Sequence, residues 1–117
     1  MDTLKTEVKI NTKEAIEKVL QDYANIPYAY GQIKAEVIVS RDEKHYLLIS
    51  SGWSPEDARI HYCVVHLELI EDKVWIQYDG IEGGVANDLV AAGIPKDRIV
   101  LGFHPPEVRK YTEFAVG

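Results

Sequence analysis

The sequence predicts an α+β fold: an N-terminal helix, an antiparallel four-stranded meander sheet, a second short helix and an extended C-terminal tail. Two patterns carry this prediction: a capped segment with helical spacing, and four strand-like segments separated by short turns. The 117 residues, 46% of them hydrophobic, are enough for one core, because domains usually contain about 100–200 residues. We therefore expect residues 1–117 to form a single domain.

The first helix is predicted to begin after Asn11, whose side chain can cap the first turn, with Glu14 three positions on. Pro27 ends the helix near residues 25–26, because the residue before a proline avoids helical backbone angles. A turn at 28–31 then leads into the sheet. The apolar positions with helical spacing are Ala15, Ile16, Val19, Leu20, Tyr23 and Ala24.

Four strands follow, and their short connections allow antiparallel neighbours. The tight turns fix a register that gives one apolar face, which the first helix can cover. The predicted strands are residues 33–39, 44–53, 59–70 and 73–78, joined by a hairpin at 41–44, a loop at 54–58 and a turn at 71–72. The predicted facing pairs are Val39 with Tyr46, Val37 with Leu48, Leu69 with Val74, Leu67 with Ile76, and Val65 with Tyr78.

The opposite face of the sheet is also apolar, although a face that meets water should be polar. An uncovered patch of this size exceeds the few hundred Å² that a monomer usually exposes. We expect the C-terminal third to cover part of it and a second copy, in a homodimer, to cover the rest. The predicted residues of this face are Ile38, Leu47, Ile49, Trp53, Tyr62, Val64, Ile70 and Trp75, mixed with His66, Glu68 and Gln77.

The C-terminal third is predicted to add a second helix at 83–92, stopped by Gly93 and followed by Pro95. Residues 99–101 are either a short buried strand or an extended segment. The prolines of the 104–106 segment make a rigid turn, and the apolar tail at 114–116 is expected to dock on the sheet.

The charge balance argues against autonomous DNA binding. The net charge is −6, and both halves are acidic, with 8 basic and 10 acidic side chains in residues 1–60 and 5 and 9 in residues 61–117. DNA binding usually needs a basic patch that neutralises several phosphates. The only basic clusters, 96–98 and 109–110, are broken or flanked by acids. We expect direct DNA binding to be weak or absent and the partner to be a protein.

The sequence also predicts a cytoplasmic protein. No apolar run approaches the roughly 18 residues of a membrane span, and residues 1–7 do not resemble a signal peptide. The single Cys63 excludes an intramolecular disulfide, which favours a reducing compartment.

Two short motifs could carry chemistry, but each has a simpler interpretation. The Gly-rich loop at 79–84 joins a strand to a helix, yet it matches no phosphate-binding fingerprint, and Glu82 would repel an anion. A tight turn with an acid at the positive helix end is the simpler interpretation. His61 and Cys63 share a strand face and His66 has the opposite parity, so only two zinc ligands come together. We expect no metal and no cofactor.

Two further groups are candidate binding elements. His66, Glu68, Trp75 and Gln77 are predicted to cluster on the second face, with His66 opposite Gln77 and Glu68 opposite Trp75. This cluster allows either acid–base work or polar contacts in an interface. The His104–Pro106 segment with Arg109 is either a rigid recognition loop with a cationic fork for a carboxylate or a stiff connection.

Several segments carry a resemblance to a known family. Residues 73–77, 83–86, 93–106 and 111–116, with Gly52, Trp53, Arg59, His66 and Arg109, resemble the XisI family, from about residue 13 to the end of the chain. The resemblance implies an excision controlling factor of cyanobacterial DNA elements. Such a factor acts beside a nuclease-like companion, XisH, while a separate site-specific recombinase performs the DNA recombination.

The resemblance and the residues lead to the same hypothesis: a regulatory factor for DNA excision that acts through a protein partner and not as an enzyme. It implies no catalytic residues. An antitoxin-like inhibitor of a companion nuclease is one alternative, and a small-molecule-binding or enzymatic domain that uses His66 and Glu68 is another. The candidate partner-binding residues are Trp53, His66, Trp75, Gln77, Phe103, His104 and Arg109.

Overall fold

The structure, a computed structural model, describes residues 11–27 and 32–117, so the turn predicted at 28–31 lies outside the described residues. The order of elements is one helix, four strands, a second helix, a 3-10 turn, a fifth strand and a last short helix. Their bounds are α1 Thr12–Ala24, β1 Gln32–Val39, β2 His45–Trp53, β3 Arg59–Ile70, β4 Lys73–Asp79, α2 Val85–Ala91, the 3-10 turn Lys96–Arg98, β5 Ile99–Val100 and α3 Pro106–Arg109.

The sheet has the order β1-β2-β3-β4-β5, and its first four strands are antiparallel neighbours, as predicted. The prediction of only four antiparallel strands is wrong, because β5 pairs with β4 in parallel. The chain crosses over through α2 after β4, and such a crossover returns the next strand in the same direction. The α+β class is confirmed, with a mixed five-stranded sheet.

Helix α1 forms as its sequence predicts. The Oδ1 atom of Asn11 accepts a hydrogen bond from the backbone N–H of Glu14 at 3.1 Å, which caps the first turn. Its apolar stripe packs on β1 and β2, so the first face of the sheet is the core. The buried residues of the stripe are Ala15, Ile16, Val19 and Leu20.

Two β-bulges alter the predicted register. On β3, Val64 is an extra residue between the pairs that Val65 and Cys63 make with β2. On β4, Gln77 is an extra residue between Ile76, which faces Leu67, and the next paired residue. Each bulge places two residues of one strand opposite one residue of the neighbouring strand. Beyond the bulge, the side chains of the bulged strand therefore lie on the opposite face from the one that simple alternation predicts.

The bulges correct two predicted pairs and one predicted face. Val65 faces Asp79 and not Tyr78, and His66 faces Tyr78 and not Gln77. Tyr62 faces the buried Ser50, which places Tyr62 on the side of α1 and not on the second face. The pairs nearer the turns, including Val39 with Tyr46 and Leu67 with Ile76, are confirmed.

The C-terminal third completes the core. Helix α2 is shorter than the predicted 83–92, since it begins only after Gly84, which has a φ of 86°. The tail predicted as extended contains α3, which begins at Pro106. The core residues of this third are Val85, Ala86, Leu89, Ile94, Ile99 and Val100. No helix within residues 11–27 and 32–117 is long and apolar enough to cross a membrane.

Candidate functional site

The second face of the sheet, the side opposite α1, is the candidate site. Its residues on β1 to β3 include Ile38, Leu47, Ile49 and Trp53, which the strand pairing places on one side. Trp53 is 48% exposed and Ile38 is 44% exposed, whereas Leu47 and Ile49 are half-buried. Ile70, at the far end of β3, also lies on this side and is exposed. Part of the predicted apolar face therefore meets solvent.

The tail covers the other part of the second face, around Trp75. The guanidinium carbon of Arg109 lies 5.0 Å from the centre of the Trp75 ring, a cation–π distance. A Cβ atom added to Gly102 would lie 3.2 Å from the Trp75 ring and 3.1 Å from the carbonyl oxygen of Ile76. A side chain at position 102 would fit here only if β4 or the tail moved by a few tenths of an ångström, so glycine suits this close approach.

The Arg109 guanidinium is occupied by backbone carbonyls. Its Nε atom donates to His104 O at 3.0 Å and to Leu101 O at 3.3 Å. Its terminal nitrogens donate to Gly102 O and Val116 O, each at 3.4 Å. These bonds use the fork to close the tail, so the geometry fits the stiff connection better than a free site for a carboxylate.

Trp53 is one large aromatic side chain of the second face that stays exposed, and Tyr78, opposite His66, is another. Trp53 lies at the end of β2, and Arg59, its partner on β3, places its guanidinium carbon 5.3 Å from the Trp53 ring. Arg59 also donates to the carbonyl oxygen of Gly52 at 3.2 Å. An aromatic ring with an arginine beside it is the residue combination that protein interfaces favour.

A polar cluster lies between these two regions. His66 Nε2 is 3.0 Å from His45 Nδ1, and His45 Nε2 is 3.6 Å from Glu68 Oε2. The side-chain amide of Gln77 donates to Glu68 Oε1 at 3.1 Å. The predicted cluster of His66, Glu68 and Gln77 thus forms, although His66 reaches Gln77 only through other members. His45 is not among the predicted members, although the alternation of β2 already places it on the side of Leu47.

The environment of the cluster favours a neutral His66. Burial is the main reason that the pKa of His66 lies below its ordinary value of 6.5, and the charge of His45 acts in the same direction. Glu68 opposes them. One ring of the pair then donates its N–H to the other, and the two imidazoles can pass a proton between them.

The prediction that His66 points away from His61 and Cys63 is wrong. Leu47 faces His66 and Ile49 faces Cys63, and these two β2 residues lie on one side, so the bulge at Val64 brings both onto the second face. Burial raises the pKa of the Cys63 thiol. In the part of the chain that the structure describes, no group of three or more His, Cys, Asp or Glu side chains could hold a metal ion.

The Gly-rich loop works as a turn that caps a helix. Asp79 accepts hydrogen bonds from the backbone N–H groups of Ile81 at 3.0 Å and Val85 at 2.8 Å. The acid at the start of α2 is therefore Asp79, while Glu82 is exposed. A carboxylate already fills the position where an anion would bind.

A groove of 710 Å³ separates α1 from α2 on the first face. Tyr23 of α1 and Asp88 of α2 both line this groove, and the Tyr23 hydroxyl donates a hydrogen bond to the Asp88 carboxylate. The bond and the nearby acids raise the pKa of Tyr23 to about 12. Glu14, Lys18 and Asp22 line the rim, so the groove has mixed charge.

Comparison with known proteins identifies the family. The sequence model of the XisI protein family matches residues 1–116. This chain belongs to the XisI family. The fold resembles a crystal structure of an XisI-like protein from Anabaena variabilis, with 30% identity and a TM-score of 0.76. It also resembles the fdxN element excision controlling factor XisI of that organism, with 26% identity and a TM-score of 0.71. Each match covers 90% of this chain and 95% of the other. The search of curated proteins gives no match.

The segment that resembles the XisI family most specifically, residues 93–106 with Arg109, builds the tail over Trp75. In this XisI-family chain these residues hold the tail against β4, because Arg109 packs on Trp75 and donates hydrogen bonds to carbonyl oxygens of the tail. Phe103 is exposed, and its ring centre is 4.5 Å from that of the half-buried His104. The partner-binding roles predicted for Trp53, His66, Trp75, Gln77, Phe103, His104 and Arg109 remain predictions.

Proposed function

We propose that this XisI-family chain is an accessory factor in the excision of a DNA element, and that it acts in the cytoplasm through a protein partner without catalysis of its own. The observation that carries the proposal is the uncovered part of the second face, with Trp53 at its edge and Ile38 exposed. The name of the related excision controlling factor from Anabaena variabilis supports the biological role. An XisH-like companion is the first partner to test.

The uncovered patch has the character of a protein-binding surface. Its centre, around Leu47 and Ile49, is half-buried and apolar, while Trp53 and Arg59 stand at its margin. Interfaces draw most of their binding energy from a few such aromatic and arginine side chains. The net charge of −6 disfavours phosphate contacts.

The experiment is a co-purification with an XisH-like companion, followed by a nuclease or excision assay with and without this chain. Trp53→Ala should weaken companion binding at least about tenfold, as expected for an aromatic hot spot. Tyr62→Ala is the matched control, because Tyr62 is 52% exposed but lies on the α1 side. Equal effects of the two variants, or no binding by the wild type, would refute the proposal.

The same assay separates an antitoxin-like inhibitor from a controlling factor. An inhibitor would bind the companion through the same face and abolish its nuclease activity, whereas a controlling factor would leave that activity intact and change excision. The His45–His66 contact at 3.0 Å favours a second candidate function, ligand binding or acid–base chemistry at the polar cluster. Loss of excision in His66→Gln, with companion binding unchanged, would support that candidate.

A further inference from the structure

Within residues 11–27 and 32–117, strand β1 presents a long edge that no other strand covers. Its eight residues pair with β2 on one side without any bulge, and no proline interrupts them. Among the described residues, no strand pairs with the other side. The opposite edge of the sheet is different, because β5 has two residues and the Ala115 N–H donates to Ile99 O at 2.8 Å. An open edge of this length is a template for another strand.

The direction of the backbone groups on β1 can be derived from the hairpin. The Ser40 N–H donates to His45 O at 3.0 Å, so Ser40 faces β2. Backbone groups alternate along an antiparallel strand, and the β1–β2 register has no shift. The residues whose N–H and C=O groups point to the open edge are therefore Ile33, Ala35, Val37 and Val39.

The exposed side chains of β1 are complementary to themselves. Lys34 and Glu36 are exposed and lie on the second face, on either side of Ala35. If two β1 strands pair antiparallel about a two-fold axis through Ala35, Lys34 of each copy faces Glu36 of the partner subunit. The same register sets Ile33 opposite Val37 of the partner subunit, and the backbone groups of these odd-numbered residues meet.

The charges favour this register over the two nearest registers in which backbone groups also match. A shift that centres the axis on Lys34 or on Glu36 puts like charges opposite each other, which is unfavourable. A slip of one residue sets backbone groups that face β2 against groups that face outward, and it turns the side chains to the wrong face.

We propose that this chain forms a homodimer by antiparallel pairing of β1 with β1 of a second copy, centred on Ala35, with two Lys34–Glu36 pairs across the axis. The pairing joins two five-stranded sheets into one continuous sheet. The two copies then meet at the edges of their β1 strands, so the uncovered part of the second face, with Trp53 at its margin, stays accessible on each copy. The proposal does not depend on the excision role.

Zero-length carbodiimide cross-linking tests the register directly. The reagent joins a lysine amine to a carboxylate in contact with it, so Lys34 should link to Glu36. Mixing ¹⁴N- and ¹⁵N-labelled protein separates links between copies from links within one copy, since only the former contain both isotopes. Mixed-isotope Lys34–Glu36 peptides are the expected result, and their absence from a cross-linked dimer would overturn the proposal.

Charge variants test the energetics. Sedimentation equilibrium should show a dimer for the wild type, and Lys34→Glu or Glu36→Lys should each raise the dimer dissociation constant about tenfold or more, because both pairs become like-charged. The combined Lys34→Glu/Glu36→Lys variant restores opposite charges and should regain the affinity. Lys110→Glu and Glu107→Lys, exposed in the tail that packs on β4, are the controls. A wild-type monomer at about 100 µM, or a double variant as weak as the singles, would overturn the proposal.

Discussion

Arg109 lies over the ring of Trp75, 5.0 Å from its centre, and donates hydrogen bonds to four backbone carbonyls of the tail. One side chain therefore packs on Trp75 of β4 and also ties separate segments of the tail to one another. Arg109→Lys should lower the free energy of unfolding by about 1–3 kcal/mol, because a lysine cannot reproduce a planar fork of donors. Urea unfolding followed by tryptophan fluorescence measures the change.

Arg59→Lys is the matched control for that variant. Arg59 is also 5.3 Å from a tryptophan ring, that of Trp53, but both side chains are exposed and one hydrogen bond to Gly52 is involved. Surface substitutions of this type usually change stability by less than about 0.5 kcal/mol. If both lysine variants are equally destabilised, the tail does not depend on Arg109.

Asp79 joins the end of β4 to the start of α2. Its carboxylate accepts from the Val85 N–H at 2.8 Å and from the Ile81 N–H at 3.0 Å. Asp79→Ala should destabilise the fold by about 1–2 kcal/mol, the usual cost of a lost helix cap. Asp79→Asn keeps an acceptor and should cost less. Thermal unfolding by circular dichroism measures both, and Asp72→Ala, in the exposed turn, is the control. An unchanged melting temperature in Asp79→Ala would contradict the capping role.

The strands could be predicted from the sequence, but the side-chain facing beyond the two β-bulges could not. Alternation and turn signals gave all four antiparallel strands and the pairs near the turns, such as Leu69 with Val74. A bulge adds one residue without a sequence signal, so everything beyond Val64 and Gln77 was assigned to the wrong side. Glu82 was expected to be the acid at the helix start from its position in the loop alone, because the reach of the Asp79 carboxylate to the Val85 N–H has no sequence signal.

The candidate site could be predicted only in part, because strand alternation indicates which residues share a face but not what covers them. The excess apolar surface on the second face was visible, because β2 alternates without interruption and carries Leu47 and Ile49 on one side. The way in which the tail covers Trp75 could not be predicted from the sequence. It depends on contacts between residues far apart in the chain, such as Arg109 on Val116 O and a glycine packed against β4.

The Tyr23–Asp88 hydrogen bond joins α1 to α2. Tyr23→Phe should lower the free energy of unfolding by about 1–3 kcal/mol, since it removes a donor from a carboxylate. Tyr62→Phe, exposed on β3, should have no effect. The hydrogen bond favours the protonated phenol, and the pKa of Tyr23 is about 12 in the fold against the ordinary 10.0. The contribution of this bond to the free energy of unfolding is therefore complete below pH 10 and is lost as the pH rises to about 12. Ultraviolet titration of tyrosinate should show one tyrosine that ionises late, and its absence would contradict the bond.

The His45–His66 pair should make the free energy of unfolding decrease in mildly acidic solution. Burial and the charge of His45 hold the pKa of His66 below 6.5, so between that value and the folded pKa the unfolded chain binds more protons at this residue. The free energy of unfolding should therefore fall as the pH drops from about 6.5, and the loss should be complete once the pH is below the folded pKa. NMR titration of the His66 ring protons gives the folded pKa directly.

Two variants make this last prediction specific. His66→Gln should flatten the pH dependence of stability below pH 6.5, because the residue that takes up the proton on unfolding is gone. His61→Gln, which also removes a histidine from the strand but leaves the His45–His66 pair intact, is the comparison variant. Glu68→Gln should steepen it, since Glu68 is the group that opposes the lowering of the His66 pKa. A slope that is the same in the wild type and in His66→Gln would show that the pair on the second face does not couple protonation to folding.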